Sequence, residues 1–433
     1  MILTIILSII AIIMMFICIF KFPSLKIGKF YIDTFYLPIL LVAIVLLVFP
    51  IFDKTEFFNI LFSNSSLNPL KILVLFICVS VLSIALDETG FFNYIASIFI
   101  NKYKASQFKL FIVLYILISI LTVFTSNDIV ILTFTPFILY FSKKGNINPI
   151  PYLVMEFVAA NTYSVLLSIG NPTNIYLASA FNIAFIDYFI KMCIPGLLVG
   201  LATFLALFLL FKKELKKPIS IFEIEQAKLK NKPLCIICGI HLFTTTLLLA
   251  ISSYINLEMW LICLIFASSL LLILLVYSIK KRSYYYISST IRRVPYSLAP
   301  FILSMFTIIM ALDSYNVFKY IYDGFSYVSN EFTEPIIYLI TSTLSCNILN
   351  NIPMTLAYGS ILSNTENIKL VYATILGSNI GALLTPVGAL AGIMWLRILK
   401  ANNVDYSFKA FLKNGLLITG FAIIAGIIGI MII

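Results

Sequence analysis

The chain has 433 residues, of which 61% are hydrophobic and only 11% are charged. A soluble domain is roughly half apolar and about a quarter charged, so this composition excludes a soluble enzyme, a disordered chain and a nucleic-acid-binding module. The formal net charge of +11 is then best explained by Lys and Arg in the cytoplasmic loops of a membrane protein.

Twelve apolar segments follow one another and predict an all-α polytopic membrane protein, because only helices and closed barrels span lipid. The short alternating segments of barrel strands are absent from the sequence. We expect about ten transmembrane helices, and no cleaved signal peptide, since no positive charge precedes the first apolar run. The apolar segments cover residues 1–20, 35–52, 70–86, 107–141, 149–182, 186–211, 234–252, 257–279, 295–312, 335–362, 369–398 and 409–433.

Four of these segments contain polar or proline-rich interruptions that predict helices broken at the membrane midplane. Backbone groups freed inside lipid need protein or water partners, so such breaks point to a cavity. Segments 107–141 and 335–362 are predicted to be re-entrant helical hairpins. The interruptions are TSND at 125–128, GNP at 170–172, NILNNIP at 347–353 and TPVG at 385–388.

The two halves of the chain repeat one another weakly, which is typical of secondary transporters. The matching pieces are Ala85-Leu86-Asp87 with Ala311-Leu312-Asp313, Ser126-Asn127-Asp128-Ile129 with Leu349-Asn350-Asn351-Ile352, and the pair Asn161 and Gly170 with Asn379 and Gly388. We therefore predict an inverted repeat. Residues 1–211 and 234–433 each form one half with five spans and a hairpin, and the Lys-rich segment 212–233 is a cytoplasmic linker.

The charge distribution is consistent with this topology. With the amino terminus outside and both hairpins re-entrant, 24 of the 29 Lys and Arg residues fall on the cytoplasmic side. Positive residues concentrate in cytoplasmic loops, so this bias favours the predicted orientation.

An inverted repeat with broken helices places its binding site near the midplane. The free N–H groups and positive ends of broken helices can hold an anionic or hydrogen-bonding solute without Arg or Lys, and we expect neither in the core. For the short polar residues, helix capping alone is the alternative explanation. The predicted substrate-binding residues are Ser126, Asn127, Asn161, Gly170, Asn171, Asn347, Asn350, Asn351, Asn379, Thr385 and Gly388.

Two acidic residues are candidates for coupling-ion or proton binding. Asp128 lies at the first hairpin tip and Glu156 inside the next segment. A carboxylate at membrane depth is costly and by default suggests a function. A structural cap at Asp128 and a hydrogen-bonded packing role for Glu156 are the alternatives. For Asp87 and Asp313 at helix ends, a cap or gate contact is expected.

No cofactor is expected beyond H⁺ or Na⁺ as the coupling ion, and no resident metal is predicted. Cys235 and Cys238 form a C-x-x-C that opens an apolar helix, and we interpret them as buried thiols. The sequence has no G-x-x-x-x-G-K-[ST] motif, so ATP hydrolysis by this chain is not expected. Whether a partner ATPase attaches at 212–233 is open.

The chain resembles the ion transporter superfamily, which contains arsenite/antimonite efflux permeases, citrate-type and sodium/dicarboxylate carriers, and a set of sodium/proton antiporters. The last two of the matching stretches look most like the arsenite permeases. These stretches are ALDETGFFNYIA (85–96), TSNDIVILTFTPFI (125–138), IGNPTNIYLAS (169–179), NILNNIPMTLA (347–357) and GSNIGALLTPVGALAGIMWLRIL (377–399). The resemblance implies a fixed scaffold part, a transport part that moves as an elevator, and a homodimer joined through the scaffold.

The expected function is secondary active transport across the cytoplasmic membrane, coupled to H⁺ or Na⁺. The expected solute is an inorganic or organic anion, or a metalloid hydroxide such as arsenite or antimonite. A Na⁺/H⁺ antiporter that uses Asp128 and Glu156 is the first alternative, and a channel or receptor is the second. An enzyme is not expected. The expected partners are the small-molecule solute and the lipid bilayer, and not nucleic acid.

Overall fold

The computed structural model describes residues 1–22, 24–27, 30–49, 54–62, 68–103, 106–219, 226–252, 254–363 and 365–433. Residues 220–225 of the predicted linker lie outside the described residues. The same is true of Lys29 and Lys104, which the charge argument places on the cytoplasmic side.

The described chain is almost entirely helical, as the sequence predicts. The first half contains α1 (Ile2–Lys21), α2 (Leu37–Val48), α3 (Lys54–Phe62), α4 (Pro69–Glu88), α5 (Phe91–Tyr103), α6 (Gln107–Phe124), α7 (Asn127–Gly145), α8 (Ile150–Tyr163), α9 (Pro172–Ala180) and α10 (Phe185–Phe211). The second half contains α11 (Lys232–Ile251), α12 (Met259–Lys281), α13 (Tyr285–Arg293), α14 (Leu298–Asp313), α15 (Val317–Val328), α16 (Glu334–Leu349), α17 (Asn351–Leu362), α18 (Ile368–Gly381), α19 (Leu390–Ala401) and α20 (Phe408–Ile432).

One small feature departs from the all-α prediction. Strands β1 (Ser24–Ile27) and β2 (Phe30–Asp33) form an antiparallel pair after α1, with Ser24 opposite Asp33. Four residues per strand are too few to show a clear alternation inside an apolar sequence. The pair matters for the site because it ends at Asp33.

Eight candidate spans, long and apolar enough to cross a membrane, occur in the described part of the chain. They include α1, α4, α6, α10, α11, α12 and α20, while a single span covers α13 and α14 together. This confirms a polytopic membrane protein with several passes. The exposed apolar side chains of α1, α10 and α12 are those that lipid would cover.

Helices of one half pack on helices of the other half, and these contacts come in matching pairs. Helix α4 packs on α12 while α14 packs on α2, and α7 packs on α19 while α17 packs on α9. Helices α10 and α20 pack on each other. The internal repeat itself stays a prediction. The inverted orientation, the re-entrant depth and the boundaries at 211 and 234 stay predictions.

Helices α7 and α17 begin in a similar way. Helix α7 begins at Asn127 and α17 begins at Asn351, and each start follows a polar N-cap residue. Helix starts shift by one or two residues with the definition used. The alignment of Asn351 with Asp128 in the repeat therefore stays a prediction.

Both breaks in the helices exist, but the first begins earlier than the GNP motif indicates. Helix α8 ends at Tyr163, and residues Ser164–Leu166 and Ser168–Gly170 form two short 3₁₀ segments. The second break separates α18 from α19 over residues 382–389. Sequence reasoning detects the proline that starts a helix more easily than the polar residue at which the preceding helix ends.

Candidate functional site

The first hairpin tip is tied to the end of α8. Ser126 is the N-cap of α7, and Asn127 is its first residue; both are 2% exposed. The Asn127 side-chain amide donates to Asn161 Oδ1 at 3.1 Å, and Asn161 Nδ2 donates to the Phe157 carbonyl at 2.8 Å. Three predicted site residues are thus brought together at the end of a helix.

The first broken helix is joined to the second half of the chain through Asn379. Its Oδ1 accepts hydrogen bonds from Ser164 Oγ at 3.0 Å and from Asn171 Nδ2 at 3.3 Å. Its Nδ2 donates to Asn174 Oδ1 at 2.8 Å. Sequence reasoning missed Ser164 and Asn174, although Asn174 stands in the IGNPTN stretch. Asn379 therefore connects the two halves of the chain through its side-chain hydrogen bonds.

The second hairpin tip is built on Asn350, which has a positive φ of 74°. Its ψ is 154°, so the residue lies outside the left-handed helical region, in a part of backbone space that is almost exclusive to glycine and is therefore strained. The Asn350 side chain donates to the Val387 carbonyl at 2.8 Å, and the Asn351 N–H donates to the Gly388 carbonyl at 3.1 Å. The second tip is therefore bound to the second break, as the first tip is bound to the helix before the first break.

Asn347 and Thr385 complete the contacts between this tip and the second break. Thr385 Oγ1 donates to Asn347 Oδ1 at 2.6 Å, and Asn347 Nδ2 donates to the Gly381 carbonyl at 3.1 Å. Both residues are half-buried, whereas Asn350 is fully buried. Thr385 and Asn347 are thus the more accessible part of the site.

Gly170 and Gly388 allow the chain to fold back on itself at the two breaks. A Cβ atom on Gly170 would collide with the Ser164 carbonyl, and one on Gly388 with the Gly381 carbonyl. Backbone atoms cannot be moved aside as a flexible side chain can. Both glycines were predicted as site residues, and the structure gives them a role in shaping the breaks.

Asn351 and Asn127, the first residues of α17 and α7, differ in their side-chain contacts. The Asn127 side chain is bonded to Asn161, but the buried Asn351 Oδ1 has no hydrogen-bond partner within the described residues. An unsatisfied buried oxygen costs about 1–3 kcal/mol. Within the described residues, the second tip therefore contains an unsatisfied buried acceptor at Asn351, and the first tip does not at Asn127.

Asp128 borders a small cavity at the side of the first tip. The cavity has a volume of about 60 Å³, and its lining includes Asp33 of β2, Ser297, and Arg397 of α19. Arg397 Nη1 is 3.0 Å from Asp33 Oδ1. The asparagine contacts include no Arg or Lys, and the partly exposed Arg397 lies at the edge of this cavity. The ends of α19 and β2 are distant in sequence, so no local pattern could place them here.

Glu156 lies in different surroundings from Asp128. It is completely buried, and Thr135 Oγ1 donates to both of its carboxyl oxygens at 3.0 Å. The Trp395 indole lies close to the same carboxyl group. This arrangement resembles the packed, hydrogen-bonded alternative, and a role in coupling stays a prediction.

Asp87 makes an interhelical contact that the sequence predicts only as a cap or gate. Arg293 Nη1 is 2.6 Å from Asp87 Oδ2 and 2.6 Å from Glu88 Oε1. Thr133 of α7 donates to Asp87 Oδ2 at 2.9 Å. A cavity of about 460 Å³ lies beside Asp87, Thr133 and Arg293. The first hairpin is thus hydrogen-bonded to the end of α4.

Comparison with known proteins assigns the family. The family model described as citrate transporter matches residues 1–369. The chain belongs to the citrate transporter family. The resemblance to the ion transporter superfamily is therefore confirmed, and the chain is a multi-pass membrane transport protein of the cell membrane.

Several curated relatives have names that mention arsenic. An arsenical pump membrane protein of Escherichia coli is 24% identical over 363 residues, covering 79% of this chain and 82% of the relative. A putative arsenical pump membrane protein of Bacillus subtilis (strain 168) is 23% identical, covering 78% and 82%. A 46 kDa membrane protein of Mycobacterium leprae (strain TN) is 24% identical over 401 residues, covering 89% and 91%. The chain is similar to each of these relatives over most of the relative's length.

Proposed function

We propose that this protein is a secondary active transporter for a metalloid hydroxide such as arsenite or antimonite, coupled to H⁺ or Na⁺. The site is formed by the two hairpin tips and the two breaks. The relatives named arsenical pump membrane protein support the choice of solute. Movement of the transport part as an elevator and assembly as a homodimer are further parts of the proposal.

The observation that carries the proposal is the chemistry at the two tips. Asn127, Asn161, Asn350 and Asn379 are buried amides that meet backbone carbonyls or one another. Arsenite is mostly neutral As(OH)₃ near pH 7, so its hydroxyl groups can both donate and accept. The buried, unsatisfied Asn351 Oδ1 requires a donor. An ionised carboxylate group has none to offer, because its oxygens only accept hydrogen bonds, so this observation disfavours a simple dicarboxylate but not citrate, whose hydroxyl group can donate.

An organic anion such as citrate is the second candidate, and two observations favour it. The matching family model is described as citrate transporter, and α7 and α17 each begin at a hairpin tip. Helix N-termini stabilise negative charge through their free N–H groups and dipole. A Na⁺/H⁺ antiporter that uses Asp128 and Glu156 is the alternative in which no organic anion or metalloid is transported.

A panel of solutes in proteoliposomes tests the proposal. Purified protein would be reconstituted with an imposed proton gradient or an imposed Na⁺ gradient. Arsenite, antimonite, citrate, a C4-dicarboxylate and Na⁺ would then be tested singly. We expect gradient-driven accumulation of arsenite or antimonite. Accumulation of a carboxylate alone would overturn the choice of solute, and Na⁺ exchange without any solute transport would favour the antiporter.

A further inference from the structure

We propose that the end of α12 and helix α13 form a binding surface for the headgroup of an anionic phospholipid. No Asp or Glu occurs between residues 259 and 312, yet five cationic residues occur within 280–293. These residues are Lys280, Lys281, Arg282, Arg292 and Arg293. The inference does not depend on which solute the protein transports.

The backbone turns sharply at Arg282. Helix α12 ends at Lys281, and Arg282 adopts a left-handed conformation with a φ of 51°. Its N–H still bonds to the Ile279 carbonyl, which closes the end of the helix. The chain then enters α13, a helix of nine residues that is too short to cross a membrane.

Helix α13 has two faces of different character. On the inner face, Thr290 is buried and Arg293 is held by Asp87 and Glu88. On the outer face, Tyr285, Ile291 and Arg292 are exposed. The first two are 48% and 41% exposed, although they are large and partly or wholly apolar. The ion pairs of Arg293 therefore fix which face of α13 points outward.

This combination suits the boundary between water and lipid. Aromatic and aliphatic side chains of a short amphipathic helix enter the headgroup and acyl boundary, while Lys and Arg extend toward phosphate groups. Lys280, Lys281 and Arg292 are all exposed, and none has an acidic neighbour in sequence. These cations would therefore bind a phosphate group. Because they lie at the end of a membrane helix, we assign that phosphate to a lipid headgroup.

The same surface lies on the linker side of the molecule. Lys230 Nζ donates to the Tyr285 hydroxyl at 2.9 Å and lies over its ring. The Lys230 N–H also bonds to the Thr89 carbonyl just after α4. The predicted topology places this side in the cytoplasm, where anionic lipids attract basic segments.

A fluorescence measurement tests the lipid preference directly. Tyr284, which is 57% exposed beside the cations, would be replaced by Trp as a reporter. The protein would be reconstituted in phosphatidylcholine vesicles that contain a minor fraction of brominated phosphatidylglycerol or of brominated phosphatidylcholine. Because bromine quenches nearby indoles, we expect stronger quenching of the reporter by the brominated phosphatidylglycerol. Added inorganic phosphate is not expected to relieve it.

Two variants, each with three cations replaced by Gln, decide whether the preference for the anionic lipid belongs to this surface. Each cation near a membrane surface contributes about fivefold in affinity. The Lys280→Gln, Lys281→Gln, Arg292→Gln variant should therefore lose most or all of the preference, with unchanged thermal stability. The matched control replaces Lys109, Lys143 and Lys144, which are exposed at the ends of α6 and α7, by Gln and should keep it. Any of three results would overturn the proposal. The two brominated lipids could quench the parent equally, both variants could lose the lipid preference equally, or free phosphate could relieve the quenching.

Discussion

At the scale of single residues, the two glycines at the breaks permit a fold that no other residue allows. Gly170 and Gly388 face backbone carbonyls, whereas Gly420 has open space around it. An added methyl group must displace backbone, and such overpacking costs about 1–3 kcal/mol. The close approach of two segments is a tertiary property, so the sequence indicates a glycine but not the residue it meets.

We predict that Gly170→Ala and Gly388→Ala lower the midpoint of thermal unfolding in detergent by several degrees, on the order expected for about 1–3 kcal/mol. The change should also reduce transport, because the breaks position the site asparagines. Gly420→Ala is the matched control and should melt at or slightly above the temperature of the parent, because Gly420 lies inside helix α20 with open space around it and alanine favours a helix. Equal melting of all three variants would show that the breaks accommodate a side chain.

Asp128 and Glu156 are predicted to behave differently when each is made neutral. Asp128 borders a cavity, while Glu156 is enclosed and hydrogen-bonded by Thr135. We expect Asp128→Asn to keep solute exchange between equal concentrations but to lose accumulation driven by an ion gradient. Glu156→Gln keeps the shape and the hydrogen bond, so its accumulation should stay within about twofold of the parent; two-fold corresponds to about 0.4 kcal/mol.

The measurement compares exchange and gradient-driven uptake in the same proteoliposomes. If Glu156→Gln abolished accumulation while exchange continued, coupling would belong to Glu156 instead. If Asp128→Asn accumulated solute normally, Asp128 would be a structural residue of the first tip.

Most of the polar site residues can be predicted from sequence, because an asparagine or serine inside an apolar segment is conspicuous. Their partners cannot be predicted in the same way. The bonds from Asn379 to Ser164 and Asn174 cross between the two halves, and Arg397 reaches Asp33 across most of the chain. Such pairs depend on packing, which a single sequence does not display.

At the scale of helices, the contact between α4 and α7 joins a buried span to the first hairpin. Helix α7 packs mainly on α8 and α19, and Thr133 gives it a polar tie to Asp87 at the end of α4. Arg293 of α13 holds the same carboxylate. If the hairpin moves during transport, this hydrogen bond has to break.

We predict that Thr133→Val, which keeps the shape but removes the donor, destabilises the protein by about 1.5–3 kcal/mol, the range for a hydrogen bond to a charged group. Thr307→Val is the control, because the Thr307 hydroxyl bonds only within its own helix, to the Leu303 carbonyl. Thermal unfolding of both variants measures the difference. Equal effects would mean that the bond from Thr133 to Asp87 carries no particular energy.

Long apolar helices and their interruptions follow from the sequence, but the short helices do not. The short helices are α3, α5, α13 and α15, which each span 9 to 13 residues. Their amino-acid composition does not distinguish them from loops. A short amphipathic helix at the membrane boundary mixes polar and apolar residues, so neither a span nor a loop pattern identifies it. Their existence became clear only from the fold.

At the scale of the whole molecule, helices of one half pack on helices of the other. Helix α7 meets α19 and α17 meets α9, so each hairpin contacts the broken helix of the other half. The weak sequence repeat predicts two related halves, and that repeat stays a prediction. What the sequence could not supply is the packing of each hairpin on the other half, because a single sequence does not display contacts between distant helices.

The central claim is that the two tips together form the transport site. Its most direct test is gradient-driven arsenite accumulation by the parent, Asn127→Ala and Asn350→Ala in proteoliposomes. Asn402→Ala serves as the control, because Asn402 is an exposed asparagine at the end of α19.

The account predicts that both tip variants lose accumulation by at least about tenfold, equivalent to about 1.4 kcal/mol, while the control retains it. Equal amounts of folded protein in the vesicles would be verified first. Undiminished arsenite accumulation in both tip variants would contradict a site formed between the two hairpins.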